Sequence, residues 1–362
     1  MNNSLTIVIP NRNRDLKTVQ RSVSSIIPQL DESTQLVIVD YGSEKSYQAA
    51  LEQLLKTHDQ VELVKCPTQG QLWNKSRCIN MVLKSCKTTH LMVSDMDMIW
   101  HPEFIKSQVK SFSQNDTVYF TVGIMTEEES SLEKSFEDYK IKFQTDHEAT
   151  GISIFPTEQL VNINGFDEFY HGWGSEDTDV HMRLKNAGYE VRFCESKIFF
   201  KHQWHEKSYR SSSSRLPFHS NQERVNFNYF SISKKTQKVK ANNFKLWGLP
   251  FHSKCYKALE KPSQSFEIYA TQEELLAFLF YLNDVEISQV VHLKVVEHPQ
   301  VKSLKSLMKK ATGKKVPNFI NLEKVNEILL EAIIKSYHNS PYTFKFDRSN
   351  KFIQWTVNLI NR

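Results

Sequence analysis

The sequence predicts an α/β protein: a mostly parallel, Rossmann-like sheet flanked by helices, followed by a smaller basic α/β domain. Two observations carry this. From residue 5 to residue 94, short apolar runs rich in β-formers alternate with segments of helical period. Beyond residue 230 the charge balance reverses, which marks a change of domain.

Residues 5–10 form an apolar run closed by Pro10. Residues 14–27 place Leu16, Val19, Val23, Ile26 and Ile27 at helical spacing. Residues 36–39 are β-rich and end at Asp40-Tyr41-Gly42-Ser43. A helix through Leu55 follows, then a strand at 61–64, a helix at 73–85 and a buried strand at 90–94. Strands separated by helices of this length imply βαβ units and parallel pairing. Such sheets bind ligands beyond the carboxyl ends of their strands. Pro10-Asn11-Arg12, Asp40 and Asp95 all fall at those ends.

At 362 residues and 40% hydrophobic content, the chain can bury a core large enough for one large domain and a smaller one. No stretch approaches the roughly 18 apolar residues of a spanning helix. Met1-Asn2-Asn3-Ser4 leads straight into the first strand, without a basic or apolar leader pattern. Cys66, Cys78, Cys86, Cys194 and Cys255 are odd in number and lack CxxC spacing, which speaks against a disulfide framework and a zinc site. The expected compartment is the reducing cytoplasm, with peripheral placement at the inner membrane face as an extension of the charge argument.

Residues 1–230 hold 25 Lys and Arg against 30 Asp and Glu, a balance of −5. Residues 231–362 hold 21 against 11, a balance of +10, and the two sum to the chain's +5. The expected domains are therefore 1–230 and 231–362. In the second, residues 266–269, 290–296 and 342–346 read as strands, and 272–282 and 322–336 as helices. Its basic surface is compatible with plain solvation, with an anionic membrane, or with an acidic polymer. It lacks a Gly-aromatic RNA signature, and its lysines at 305–315 form one local cluster, so nucleic acid is not an expected partner.

Two acidic clusters carry the chemistry. Asp95-Met96-Asp97 follows the apolar Leu91-Met92-Val93. In an extended chain, alternate side chains face one side, so both carboxylates would face one site and Met96 the other. Such oxygen ligands suit Mg²⁺ or Mn²⁺ bound to a diphosphate. As a surface turn the triplet would mean little, but its place at the end of a buried strand favours the metal reading. The second cluster, Gly172-Trp173-Gly174-Ser175-Glu176-Asp177, opens a helix with Ser175 as N-cap, a stripe of Val180, Leu184 and Ala187, and Gly188 as its stop. Acidic residues there also complement the helix dipole. The Trp between two glycines is not explained that way; an exposed ring beside a carboxylate can carry a sugar. Beyond lies Lys201-His202-Gln203-Trp204-His205, after the strand-like 198–200.

These motifs resemble the GT-A glycosyltransferases of family 2 type, in particular the β-1,4-galactosyltransferases and bacterial chondroitin-polymerase-type transferases. Ile9-Pro10-Asn11-Arg12-Asn13-Arg14 is similar to their P-F-R-N-R segment, Trp73-Asn74-Lys75-Ser76 to F-N-R-A, and Ser94-Asp95-Met96-Asp97 to S-D-V-D. Asn164-Gly165-Phe166 with Gly172-Trp173-Gly174-Ser175-Glu176-Asp177 is similar to N-G-F…G-W-G-G-E-D. The likeness covers about residues 4–210; residues 231–362 carry none. Two departures stand out: Lys75 for arginine and Ser175 for glycine.

The resemblance implies an inverting, metal-dependent enzyme that moves a hexose or N-acetylhexosamine, galactose-type favoured, from a UDP-sugar to a glycan or lipid-linked glycan hydroxyl in bacterial surface polysaccharide synthesis. It implies nucleotide contacts from Pro10, Asn11, Arg12, Arg14, Asp40, Lys75, Asp95 and Met96. It also implies an acceptor site of Trp173, Gly174, Glu176 and Asp177, with Asp177 as catalytic base. Mn²⁺ or Mg²⁺ would be held by Asp97, Asp95 and a histidine, either His202 or His205. The rival expectation is a non-catalytic module that binds a nucleotide-sugar or a polyanion.

Overall fold

The computed structural model describes residues 4–360 except 110–112, 114, 149, 207–216, 244–245, 250–251, 302, 305–307 and 309–310, and the side chains of 108 and 109. Most of the lysine cluster at 305–315 thus lies outside the described residues. The chain forms two compact units: Met1–Cys66 with Trp73–Lys207 and Gln222–Pro250, and Pro67–Leu72 with Ser208–Asn221 and Phe251–Arg362.

The first unit opens with β1 (Leu5–Asn11), α1 (Leu16–Ile26), β2 (Thr34–Tyr41), α2 (Lys45–Leu55), β3 (Val61–Cys66), α3 (Lys75–Ser85) and β4 (His90–Val93). There follow β5 (Met98–Trp100), β6 (Thr117–Phe120), β7 (Val122–Ile124), α4 (Glu127–Ser131), β8 (Phe143–Gln144) and β9 (Ser153–Pro156). The unit closes with α5 (Thr157–Asn162), α6 (Glu176–Asn186), β10 (Val191–Cys194), β11 (Phe200–His202) and α7 (Gln222–Lys235).

Its main sheet runs β10-β6-β9-β4-β1-β2-β3. β1 pairs in parallel with β2 and β4, β2 with β3, and β6 with β10, while β9 is antiparallel to both its neighbours. The mostly parallel sheet is as expected, and its strands show why they read as continuous apolar runs. Leu5, Ile7 and Ile9 join one core with Leu36, Ile38 and Met92; Val8, Val37, Val39, Leu91 and Val93 join another on the opposite face. Alternate side chains point to opposite faces, and both faces are covered by helices.

A second sheet, β5-β11-β7-β8, was not legible from pattern because its strands are two or three residues long. Trp100, Phe104, Phe120, Phe199 and Phe200 anchor it; the Phe104 and Phe200 rings meet edge-on, with centroids 4.7 Å apart. Such pairs add about 0.5–1.5 kcal/mol beyond burial alone.

The second unit holds α8 (Ser253–Lys257), β12 (Gln264–Tyr269), α9 (Gln272–Asp284), β13 (Val290–Val296), α10 (Leu322–Ala332), β14 (Tyr342–Asp347) and β15 (Phe352–Asn358). Its sheet runs β12-β13-β15-β14, with the first pair parallel and the others antiparallel. This is the expected small α/β unit. The segment Pro67–Leu72 belongs to it: Phe344 donates its amide to the Gly70 carbonyl at 2.9 Å, and the Leu72 amide donates to Tyr342 Oη at 2.9 Å. Among the described residues no helix is long and apolar enough to cross a membrane.

Candidate active site

The ends of β1 and β2 are tied to one another. Asp40 is fully buried, and its carboxylate accepts hydrogen bonds from Asn11 Nδ2 at 3.0 Å, Gln48 Nε2 at 2.7 Å and the Ser43 hydroxyl. Pro10 and Asn11 are buried beside it. Asp40 and Asn11, expected to meet a nucleotide, are therefore engaged within the protein and shape the loop that presents Arg12. The Arg12 guanidinium bonds the Tyr41 carbonyl and lies 5.4 Å from the Tyr41 ring and 5.6 Å from Trp73. The two rings meet edge-on at 6.0 Å. These aromatic walls went unnoticed in the sequence because they come from separate strand and loop segments.

Asp95-Met96-Asp97 is a turn, not an extended segment: β4 ends at Val93 and β5 starts at Met98. The two carboxylates consequently diverge. The Met96 side chain, expected among the nucleotide contacts, is buried in the core with Met92 and Met98. Asp95 Oδ1 sits 3.0 Å from Lys75 Nζ, whereas Asp97 faces β11. Antiparallel pairing puts His202 opposite Met98, and the Gln203 amide donates to the Asp97 carbonyl at 2.8 Å. That register brings the histidines to the aspartate: His205 Nε2 lies 3.2 Å from Asp97 Oδ2, and His202 Nε2 lies 3.6 Å from Oδ1.

Ligand atoms of Asp97, His202 and His205 all fall within 4.8 Å of one another, so both histidines reach the site where one was expected. Asp95 stands outside this group. Arg14, expected on the nucleotide, instead places NH2 3.0 Å from Asp97 Oδ2. Burial opposes ionisation of Asp97, but His202, His205 and Arg14 outweigh it and hold the carboxyl well below its usual range. Its Oδ1 and the Nδ1 of His202 are buried without a hydrogen-bond partner; at 3.6 Å the approach of His202 is too long for one. A buried carboxylate oxygen without a donor, beside two imidazoles, fits a divalent cation of borderline softness.

Lys75 is the first residue of α3, whose N-cap Asn74 accepts from the Arg77 amide at 2.8 Å. Its Nζ bridges Asp95 Oδ1 and Asp177 Oδ2, each at 3.0 Å. Burial works against its charge, yet Asp177 and Asp95 raise its affinity for the proton well above the ordinary lysine range. Asp177, 17% exposed, lies in the first turn of α6; burial raises its carboxyl and Lys75 opposes the rise. Neighbouring Glu176 is pushed up to about 7, chiefly by burial and then by repulsion from Asp177. Among the described residues Asp177 Oδ1 carries no hydrogen bond.

Ser175 precedes α6 as expected, but its side chain makes no cap hydrogen bond and its backbone is left-handed, with φ at 73°. That conformation favours glycine, which explains the glycine in the related motif; Ser175 carries a strain that the glycine avoids. Trp173 is half exposed, and Gly174 faces open space. Gly165 has a different reason: at φ 68°, a Cβ there would lie 2.3 Å from Asn80 Oδ1, the atom that accepts from the Phe166 amide at 2.8 Å.

The model "Glycosyl transferase family 2" matches residues 6–159, and "N-terminal domain of galactosyltransferase" matches residues 130–206. β-1,4-Galactosyltransferase 5 of Sus scrofa is 32% identical over 83 residues, 23% of this chain and 21% of that protein. The Homo sapiens counterpart is 49% identical over 41 residues, 11% of each chain. The chain thus spans at most about a fifth of these relatives. Among solved structures, S. aureus TarS 1-349 aligns with 68% of this chain and 68% of its own, at 13% identity and a TM-score of 0.46. The mannosyltransferase PcManGT from Pyrobaculum calidifontis, in complex with GDP-Man and Mn²⁺, aligns with 79% of this chain and 82% of its own, at 15% identity and a TM-score of 0.44. Residues 6–206 are thus similar to glycosyltransferases of the family 2 and galactosyltransferase types, with galactosyltransferases among the relatives of the chain.

Proposed function

We propose that the protein is an inverting glycosyltransferase that moves a hexose or N-acetylhexosamine, galactose-type favoured, from a UDP-sugar to a hydroxyl of a glycan or lipid-linked glycan, in the synthesis of a surface polysaccharide. One observation supports this above the others. Lys75 ties the turn bearing Asp95 and Asp97 to the first turn of α6, which supports reading the Asp97, His202 and His205 group and the Asp177 carboxylate as parts of one site.

In this reading Arg12, Tyr41 and Trp73 line the nucleotide end, with Arg12 able to swing toward a phosphate or carbonyl. Asp97, His202 and His205 hold Mn²⁺ or Mg²⁺. When bound, the ion supplies Lewis-acid stabilisation for the charge that develops on the departing diphosphate. Lys75 keeps Asp177 fixed through Oδ2, and Asp177 accepts the acceptor's hydroxyl proton on its remaining oxygen. With the acceptor hydroxyl on that oxygen, attack opposite the leaving UDP would invert the anomeric configuration. A carboxylate is a weak base, but it needs to take the proton only as the new bond forms, and positioning makes up the difference. A raised pKa strengthens it as a base once ionised.

UDP release measured over a panel of UDP-sugars, with Mn²⁺ and with EDTA, tests the proposal. Turnover with one donor, abolished by EDTA and restored by Mn²⁺, is the expected result. Turnover undiminished in EDTA removes the metal assignment. UDP-sugar binding without any turnover leaves the non-catalytic module as the better reading.

A further inference from the structure

The loop bearing Trp173 rests on α7. Gln222, Asn226 and Ser233 form the buried stripe of that helix. The Asn226 amide donates to the carbonyl oxygens of His171 at 2.9 Å and Trp173 at 3.1 Å. Gln222 Cγ stands 3.4 Å from where a Cβ on Gly172 would be. Just upstream, Phe169 stacks on Tyr229 with ring centroids 3.8 Å apart. The helix is therefore held to this segment by a side-chain amide on two backbone carbonyls and by a stacked ring pair.

The neighbouring face of the same helix has an unusual character. Phe227 follows Asn226 by the 100° of one helical step, so its ring emerges beside the loop that Asn226 holds. That ring is 61% exposed. With Glu223, Arg224 and Asn228 of the same helix, it lines an open depression of about 360 Å³. The ring thus offers an exposed apolar face among polar side chains. The other exposed apolar residue of the helix, Ile232, lies on a different face, so the two do not merge into an apolar patch of the kind a protein partner needs.

We propose that this face of α7 is a second sugar subsite, so that the acceptor is an oligosaccharide and not a single sugar. The terminal residue lies against Trp173, and the next lies over Phe227. The inference rests on reading the Gly172-Trp173-Gly174 loop as the acceptor site. A pyranose has one face of C–H groups and a rim of hydroxyls. The electron-rich faces of the two rings suit the former. The Arg224 guanidinium donates, and the Asn228 amide both donates and accepts, around the latter. The volume is at the lower end of small-molecule sites, enough for one added sugar.

The test uses p-nitrophenyl glycosides in pairs that share their terminal sugar: N-acetylglucosamine with chitobiose, galactose with lactose's terminal-galactose disaccharide, and glucose with cellobiose. UDP release is followed with each donor that supports turnover. For the productive pair, the disaccharide should show a KM roughly tenfold lower, or about 1.4 kcal/mol, with similar kcat. Phe227→Ala should erase that advantage while leaving the monosaccharide KM and the melting temperature unchanged, and Phe227→Trp should restore it. Equal KM values in the unaltered protein overturn the subsite, as does a Phe227→Ala variant that weakens both acceptors alike. If no donor and acceptor release UDP at all, the glycosyltransferase reading itself fails and the subsite falls with it.

Discussion

Asp177 and Glu176 are adjacent carboxylates at one helix start, yet their surroundings separate them. Lys75 holds an oxygen of Asp177 at 3.0 Å, while Glu176 is buried and pushed up to about 7. Near neutral pH Asp177 is thus the better placed to be an ionised base. Asp177→Asn retains the shape and the contact with Lys75 but cannot accept a proton. Turnover should fall by roughly 10²–10⁴-fold, with UDP binding, read by calorimetry, unchanged. Normal turnover in this variant would move the base to Glu176 or elsewhere.

His181 yields a prediction of a different kind. Its ring is buried between Tyr119 and Phe155, bonded to Ser153 Oγ at 3.0 Å. Burial, aided by Lys185, lowers its pKa from 6.5 to about 3. The sign follows directly. Above pH 6.5 the ring is neutral in both folded and unfolded chains, and stability does not depend on it. Below that, the unfolded chain takes a proton that the fold refuses. Stability then falls by about 1.4 kcal/mol per pH unit until about pH 3, or about 2 kcal/mol at pH 5. His181→Gln should flatten that slope in urea titrations at pH 7 and pH 5; an unchanged slope would assign the acid sensitivity to other groups.

At the scale of elements, three separate pieces of chain meet at Lys75: α3 itself, the turn between β4 and β5, and the start of α6. Removing the ammonium would leave two carboxylates facing each other across a small gap; a Cβ on Gly151 would lie 3.4 Å from Asp95 Oδ2 and 3.5 Å from Asp177 Oδ2. Lys75→Met should cost on the order of 1–3 kcal/mol, less than a fully buried pair would because Asp95 is 38% exposed. Lys75→Arg should recover part of it. Thermal melting measures both, and a Met variant as stable as the original would show that the bridge is not what joins these elements. The metal-type cluster depends on elements in the same way. Asp97 and the histidines are about a hundred residues apart in the chain, and antiparallel pairing of β5 with β11 brings them together.

At the scale of the molecule, the charge asymmetry invites its own test. The +10 balance of residues 231–362 supports a proposed contact of this region with anionic lipid, where a lipid-linked acceptor would be found. Each Lys or Arg near such a surface contributes about 1 kcal/mol. Sedimentation with anionic but not neutral vesicles, lost at high salt, is the expected outcome. Binding indifferent to salt, or none on anionic vesicles, sinks this contact and leaves the basic surface to an acidic glycan or to solvation.

What the sequence determined by itself was local. Alternating apolar runs and helical stripes marked β1 to β4 and α1 to α3 within a few residues, because strand and helix periods are properties of neighbours in the chain. The strand at 290–296 coincides with β13, and the acidic turn and the Gly-Trp-Gly loop were visible as short motifs at element ends. The tertiary structure decided what those motifs touch. Spacing suggested that Asp95 and Asp97 face one site; a turn sends one to Lys75 and the other to two histidines. Asp40 read as a ligand contact and is buried in a network of its own protein. The strands of the second sheet are too short to show a period, and α7's grip on the Trp173 loop joins residues more than fifty positions apart. Ion pairs and hydrogen bonds act through space over a few ångströms, so the residues that share a site are chosen by packing and strand register, which no local pattern in the chain records.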